Sequence, residues 1–112
     1  MKTRRPEHWA AEAGARDVVR LDIPADALHD RIFEIFIRLA VRTTRRDATH
    51  AMRVLVDGAL EWSRSVPTQI GEDSLDLRLR RTVAAGRPLR LTASCELRGA
   101  VRVSLAISAD EE

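Results

Sequence analysis

The side chains best suited to chemistry in this sequence are its arginines. Eighteen of the nineteen basic residues are arginine, and Lys2 is the single lysine. The planar guanidinium group favours bidentate contacts with phosphates and carboxylates. The arginines that could contact nucleic acid are Arg42, Arg45, Arg46, Arg78, Arg80 and Arg90. Because the net charge is only +2 and residues 75–108 hold no aromatic ring to stack on a base, nucleic acid is an alternative and not our first expectation.

Other chemistry-bearing residues are few and scattered. His29, Asp30 and Glu34 form the closest group of potential metal ligands, but a metal site needs three or four convergent ligands. Cys95 lies in the inward phase of an alternating segment, which predicts a buried, protonated thiol and not a nucleophile. We therefore expect no metal and no cofactor, and we name no catalytic residue. The sequence leaves enzymatic activity uncertain and favours a non-enzymatic protein.

Length and composition indicate one domain. A chain of 112 residues can build one core, and its single cysteine cannot form an internal disulfide. No apolar run is long enough to cross a membrane, and residues 1–16 lack the apolar core of a signal peptide. These features predict a cytoplasmic protein. We expect a flexible or loosely docked tail at 1–16, a domain at 17–109 and an acidic end at 110–112.

The stretch from Leu28 to Arg42 (LHDRIFEIFIRLAVR) is the densest in large apolar residues. As a helix it aligns an apolar face at helical spacing, made of Leu28, Ile32, Ile35, Phe36 and Leu39. As a strand it alternates cleanly on Phe33, Ile35, Ile37, Leu39 and Val41. Pro24 and Asp26 provide a helix start, and the stretch is long for a strand. We predict a helix and keep the strand as the alternative.

The predicted helix has more apolar surface than one neighbouring layer can cover. Phe33, Ile37 and Val41 lie outside its main apolar face. These three residues would therefore form an interface with a second copy or a larger protein partner, which would include this helix or the sheet edge next to it. The alternative is that the N-terminal tail folds back and Trp9 covers the same surface. In a two-fold contact of the helix with itself, Arg38 of one chain would approach Glu34 of the other.

The remaining segments predict one more helix and four strands. Residues 17–23 alternate and form the first strand. Residues 48–66 show an apolar seam at spacings of three and four, which predicts the second helix, although Asp57-Gly58 within it is also a hairpin signal. The last three strands, near 75–80, 89–98 and 101–108, place odd-numbered apolar residues inward. Successive hairpins would then pair Leu79 with Leu91 and Leu97 with Val101.

These elements predict an α+β fold. The order β-α-α-β-β-β would give a two-layer sandwich, with two helices on one face of a mostly antiparallel four-stranded sheet. The preferred function is a non-enzymatic module for protein interaction or self-assembly in the cytoplasm. The first alternative is an arginine-rich nucleic-acid-binding protein. The predicted order is also similar to that of small toxin-like ribonucleases, so a ribonuclease or hydrolase is the second alternative.

Overall fold

A computed structural model describes residues 4–112, and these residues form eight β-strands. No helix occurs in this range, and hence none that could cross a membrane. The first three residues of the predicted tail lie outside the described range. The strands are β1 (His8–Glu12), β2 (Val18–Ile23), β3 (Arg31–Thr43), β4 (Thr49–Val56), β5 (Ala59–Pro67), β6 (Gly71–Val83), β7 (Leu89–Arg98) and β8 (Val101–Glu111).

The strands form two antiparallel sheets that pack face to face. Sheet A has the order β1-β8-β3-β6, and sheet B has the order β2-β7-β4-β5. Consecutive strands lie in different sheets, except for the β4–β5 hairpin. This connectivity, with eight strands shared equally between two sheets, is that of a jelly roll. The α+β prediction is therefore wrong, and the protein is an all-β sandwich.

The predicted helix at 28–42 is instead strand β3, the alternative of the sequence analysis. Its odd-numbered residues point between the sheets, and its even-numbered residues point outward. Ile32 and Phe36, which completed the helical face, lie half-buried on the outer surface. Pro24 and Asp26 start a loop and not a helix: the Asp26 carboxylate accepts hydrogen bonds from the backbone N–H groups of Leu28 and His29, as an N-cap would, but the chain then extends into β3. β-Branched residues at alternate positions suit a pleated surface, and the opposing sheet covers them.

The predicted second helix at 48–66 is also wrong, because this segment is the β4–β5 hairpin. Asp57 and Gly58 both have positive φ angles, 50° and 83°. These angles suit the two-residue turns that join antiparallel strands, for which Asp-Gly is a preferred sequence. The hairpin places Val54 opposite Trp62 and Val56 opposite Ala59. The local turn signal thus outweighed the helical spacing of the apolar residues.

The four predicted strands are present, but their predicted pairing is wrong. β2 matches the strand predicted at 17–23, and β6, β7 and β8 cover the three C-terminal segments. However, β6 pairs with β3, whereas β7 pairs with β2 and β4. Leu79 therefore faces Ile35 and not Leu91, and Leu97 faces His50 and not Val101. Alternation determines which face is buried, but it does not determine which sheet a strand joins.

A β-bulge reverses the predicted orientation of the first three residues of β8, Val101, Arg102 and Val103. Ala40 faces Ser104 and Val41 faces Arg102, which leaves Val103 without an opposing residue. Val103 was predicted to be buried, yet 54% of its surface is exposed. Arg102 turns inward at this point, and its Nε lies 2.9 Å from Asp17 Oδ1. Beyond the bulge the alternation of β8 returns to the predicted phase, and Leu105 is buried. Leu91 and Ala93 of β7 are also buried as predicted.

The N-terminal segment is fastened to the sandwich by a network of ion pairs. β1 pairs with β8, and Trp9 packs against the core. Arg31, which is only 2% exposed, donates from Nη1 to Glu7 Oε1 over 2.8 Å. The same Glu7 oxygen accepts the indole N–H of Trp9 at 2.9 Å. Arg4 binds Glu111 through both of its terminal nitrogens and thereby lowers the pKa of that carboxyl group.

Candidate functional site at the β6 edge

β6 is a long edge strand with one free side. It pairs with β3 along all thirteen of its residues, and no strand within 4–112 covers its other side. The backbone N–H of Glu112, which follows β8, donates to Ile32 O over 2.8 Å, so even-numbered residues of β3 direct their backbone groups towards β8. Odd-numbered residues of β3 consequently bond to odd-numbered residues of β6. The backbone groups of even-numbered residues 72–82 therefore point to the free edge.

Charged residues are sorted along β6 by sign. The first half of the strand holds the acidic residues Glu72, Asp73 and Asp76. The second half holds the basic residues Arg78, Arg80 and Arg81. Leu75, Leu77 and Leu79 alternate with these charges and point between the sheets. The strand therefore has an acidic half and a basic half, with leucines near its centre.

The sandwich is open beside this edge. Leu77 and Leu79 of β6 and Trp62 and Val66 of β5 pack against the core but are only half-buried. We call the gap lined by these four residues the lateral opening. Glu61 of β5 and Arg81 of β6 bridge the two sheets, with a distance of 2.5 Å between Oε2 and Nη2. On the opposite side of the sandwich, β1 and β2 pack against each other. Apolar surface is thus accessible next to the free backbone edge.

The outward side chains at the centre of β6 have partners on β3. Asp76 lies opposite Arg38, with 3.7 Å between Oδ1 and Nε, and both side chains are partly exposed. The Arg78 guanidinium lies over the Phe36 ring, 4.6 Å from its centroid. Arg80 pairs with Glu112 at 2.5 Å. Exposed ion pairs of this kind are weak, so these side chains can also bind a partner.

A buried histidine anchors the start of β6. His50 is fully buried, and its Nε2 donates to the carbonyl oxygen of Ser74 over 3.3 Å. Its Nδ1 lies 2.7 Å from the hydroxyl of Thr68. The Asp73 carboxylate accepts the backbone N–H groups of Gln69 and Ser74, and these hydrogen bonds lower the pKa of Asp73. As part of a helix His50 is expected on the surface of the first turn, whereas strand β4 turns it into the core.

The predicted interface residues are divided between the core and the surface. Phe33, Ile37 and Val41 are completely buried between the sheets, because sheet B provides the cover that the predicted helix lacked. None of the three is exposed to a partner in the folded chain. Glu34 and Arg38 are exposed on the outer face of sheet A, opposite Arg80 and Asp76 of β6. Of the five predicted residues, only these two adjoin the free edge.

The six arginines predicted as nucleic-acid contacts do not form one surface. Arg78 and Arg80 lie on the outer face of sheet A, whereas Arg90 lies on the outer face of sheet B. Arg42, Arg45 and Arg46 lie at the end of β3 and in the loop that follows it. Three of the six form exposed ion pairs with an acidic neighbour, namely Arg45 with Asp47, Arg80 with Glu112 and Arg90 with Asp22. The geometry thus gives no continuous basic footprint.

No group of three histidine, cysteine or acidic side chains converges to hold a metal ion within residues 4–112. His29 contacts Asp26 in the loop before β3, and not Glu34. The residues missed by the sequence analysis are Leu77 and Leu79 at the opening and the opposite charges that flank them. The signal was present in the order of charges in GEDSLDLRLRRTV. Its importance depends on β6 being an edge strand.

Cys95 is expected to resist alkylation in the native protein. It is 8% exposed, and burial raises the pKa of its thiol to about 11, so the reactive thiolate is scarce at neutral pH. We expect labelling by iodoacetamide at pH 8 to be slow and to accelerate when denaturant is added. Rapid modification without denaturant would contradict the buried position found on β7.

Comparisons with known proteins support the fold and give no family. No known protein family matches the sequence, and no curated protein matches it. A solved structure described as "Crystal structure of dimeric latent PorU from Porphyromonas gingivalis" matches 96% of this chain with a TM-score of 0.55 and 12% identity. The match covers only 13% of that chain. At this identity the similarity concerns the fold alone.

Proposed function

We propose that this protein is a non-enzymatic self-assembly module that associates by joining the β6 edge of one copy to the β6 edge of another. The observation that carries the proposal is the long free edge of β6 beside the lateral opening. Addition of a strand would satisfy the outward-pointing backbone groups of the even-numbered residues of β6 other than Ser74, whose N–H and C=O groups are already bonded to Asp73 and His50. It would also continue sheet A into a second copy, so that one sheet runs through both molecules.

Apolar burial supports this association. Complete burial of one large apolar side chain is worth about 1.5–3 kcal/mol. Leu77 and Leu79 are already half-buried, so each would contribute part of that amount. Both copies contribute the same side chains, because a two-fold contact uses the same surface twice. Half-buried leucines that frame a free edge therefore favour pairing over solvation.

The test is the solution mass of the full chain measured by sedimentation from micromolar to millimolar concentrations. We expect the mass to rise from that of one chain towards that of two. Leu77→Lys should keep the protein monomeric, because an inward-pointing charge on an edge strand opposes strand addition. Val18→Lys, at an exposed position on β2, is the matched control and should associate like the natural chain.

A monomer at millimolar concentration would overturn this proposal. Association that is unaffected by Leu77→Lys would also contradict it, because another surface would then form the contact. Circular dichroism of both variants shows whether the β-sandwich is retained. A monomer that binds nucleic acid with a steep salt dependence would instead support the arginine-rich alternative.

A further inference from the structure

The order of charges along β6 defines which register the association takes. We infer that two copies pair antiparallel about a two-fold axis at Leu77, so that Asp76 of each copy faces Arg78 of the other. This inference rests on the proposed function, and it adds the partner residues and the specificity of the contact. Its source is the opposite sign of the two halves of β6.

Symmetry restricts the possible registers. A two-fold axis perpendicular to the sheet keeps inward residues inward, so an odd-numbered residue must face an odd-numbered one and an even-numbered residue an even-numbered one. The axis then lies between the two copies of a single residue. With the axis at Leu77, Leu77 faces its own copy and Leu75 faces Leu79. The same register sets Asp76 against Arg78 and Asp73 against Arg81. All these pairs are either apolar with apolar or acidic with basic.

Neighbouring registers are disfavoured by like charges. An axis at Asp76 would set the two Asp76 carboxylates directly opposite each other. An axis at Arg78 would oppose the two Arg78 guanidinium groups. Like charges directly across a strand pair are destabilising, and specificity often depends on such repulsion in competing arrangements. The charges at positions 76 and 78 therefore disfavour the two adjacent registers and favour the one centred on Leu77.

The backbone geometry agrees with this register. Even-numbered residues of β6 direct their N–H and C=O groups to the free edge, as the β3–β6 pairing requires. Asp76 and Arg78 of the second copy would therefore exchange backbone hydrogen bonds. The two Leu77 residues would form a non-hydrogen-bonded pair, in which the Cα atoms lie about 4.5 Å apart and the side chains are closest. The leucines of the lateral opening would thus meet at the axis.

A charge-swap experiment tests the inference on the full chain. Asp76→Arg should weaken self-association about tenfold or more, because two Arg–Arg contacts replace two ion pairs. Arg78→Asp should do the same through Asp–Asp contacts. A mixture of the two variants should form a heterodimer with nearly the affinity of the natural homodimer. The double variant D76R/R78D should again form a homodimer.

Matched controls separate this contact from general charge effects. Glu96→Arg and Arg53→Asp make the same charge changes at exposed positions on the outer face of sheet B, and both variants should associate normally. Asp76 and Arg78 also lose contacts with Arg38 and Phe36 within the chain, but such losses cannot explain recovery in the mixture. Sedimentation of each variant and of the mixture provides the measurement.

A disulfide test covers the case in which a charge variant fails to fold. Leu77→Cys should form an intermolecular disulfide on oxidation, because the expected Cα distance lies within the range of disulfides. Leu79→Cys should not, since Leu79 of the second copy would be four residues further along the strand, roughly 13 Å away. Cross-linking of Leu79→Cys but not of Leu77→Cys would overturn the register.

Different results would contradict the register and the self-association through β6. If the natural chain dimerises through β6 but the mixed variants do not recover, the register is wrong and the proposed function stands. If the natural chain stays monomeric, both are wrong. Recovery of the mixture together with cross-linking at Leu77 supports both.

Discussion

Replacing Phe33 by alanine is expected to lower the free energy of unfolding by about 3–5 kcal/mol, the usual cost of truncating a buried phenylalanine. Phe33 lies on β3 at the centre of sheet A and has no exposed surface. The opposing sheet cannot collapse fully into the cavity, because both layers are held by their own strand pairing. Urea unfolding at equilibrium provides the measurement.

Phe36→Ala is the matched control for this prediction. Phe36 lies three residues away on the same strand, but it points outward and is only half-buried beneath Arg78. Its truncation should cost about 1–2 kcal/mol, since only part of its apolar area is buried. Equal losses for the two variants, or a larger loss for Phe36→Ala, would contradict the inward orientation of odd-numbered residues on β3.

The second large effect is expected at the Arg31–Glu7 pair. Arg31→Met should cost about 3 kcal/mol, the low end for breaking a buried pair, because the partly exposed Glu7 carboxylate keeps its contacts with the Trp9 indole and Arg4. The Arg31 side chain is 1% exposed, and its Nη2 also donates to the Pro24 carbonyl at 2.9 Å. Hydrogen exchange should show the β1 amides losing protection before those of β3, because Glu7 immediately precedes β1.

A double-mutant cycle separates this pair from the rest of the network. The double variant Glu7→Gln, Arg31→Met should be more stable than the sum of the single losses predicts, because neither charge is left alone. Arg90→Met, which breaks the exposed pair with Asp22, is the control and should change stability by about 0.5 kcal/mol or less. Additive losses in the cycle would mean that Arg31 and Glu7 do not act together.

The alternation of apolar residues in the sequence indicates the buried face of most strands. In residues 28–42 and 48–66 this pattern was interpreted as helical, and the buried faces of β3, β4 and β5 were therefore not predicted. Phe33, Ile35 and Ile37 alternate as a strand requires, yet Phe36 and Ile32 on the other face made a helical stripe equally regular. A single sequence does not show which of two apolar faces the rest of the fold will cover. At Asp57-Gly58 the turn residues carried the decisive information, and the spacing of apolar residues was misleading.

The candidate site depended on topology that local patterns do not contain. Alternation placed Leu77 and Leu79 inward correctly, and the charge order of β6 is visible in the sequence. Their importance arises because β6 pairs with β3, whose central residue Ile37 lies 40 positions before its partner Leu77, and because no strand within 4–112 lies on the other side of β6. Strand neighbours of this kind result from packing of the whole chain, and a wrong helix at 28–42 removed the correct partner of β6 from consideration.

The alternation of consecutive strands between the sheets has a consequence for how the chain folds. Only β4 and β5 can pair by closing a tight turn. The partners of β3 and β1 are β6 and β8, which lie much further along the chain, so these pairs form only when long loops close. Closing such long loops costs chain entropy before any contact compensates for it, so domains of this topology fold in milliseconds to seconds. The Asp57-Gly58 hairpin is therefore the natural place for structure to begin. During this interval the β3 and β6 segments are exposed together, and the rate of folding governs how much of the newly made chain aggregates.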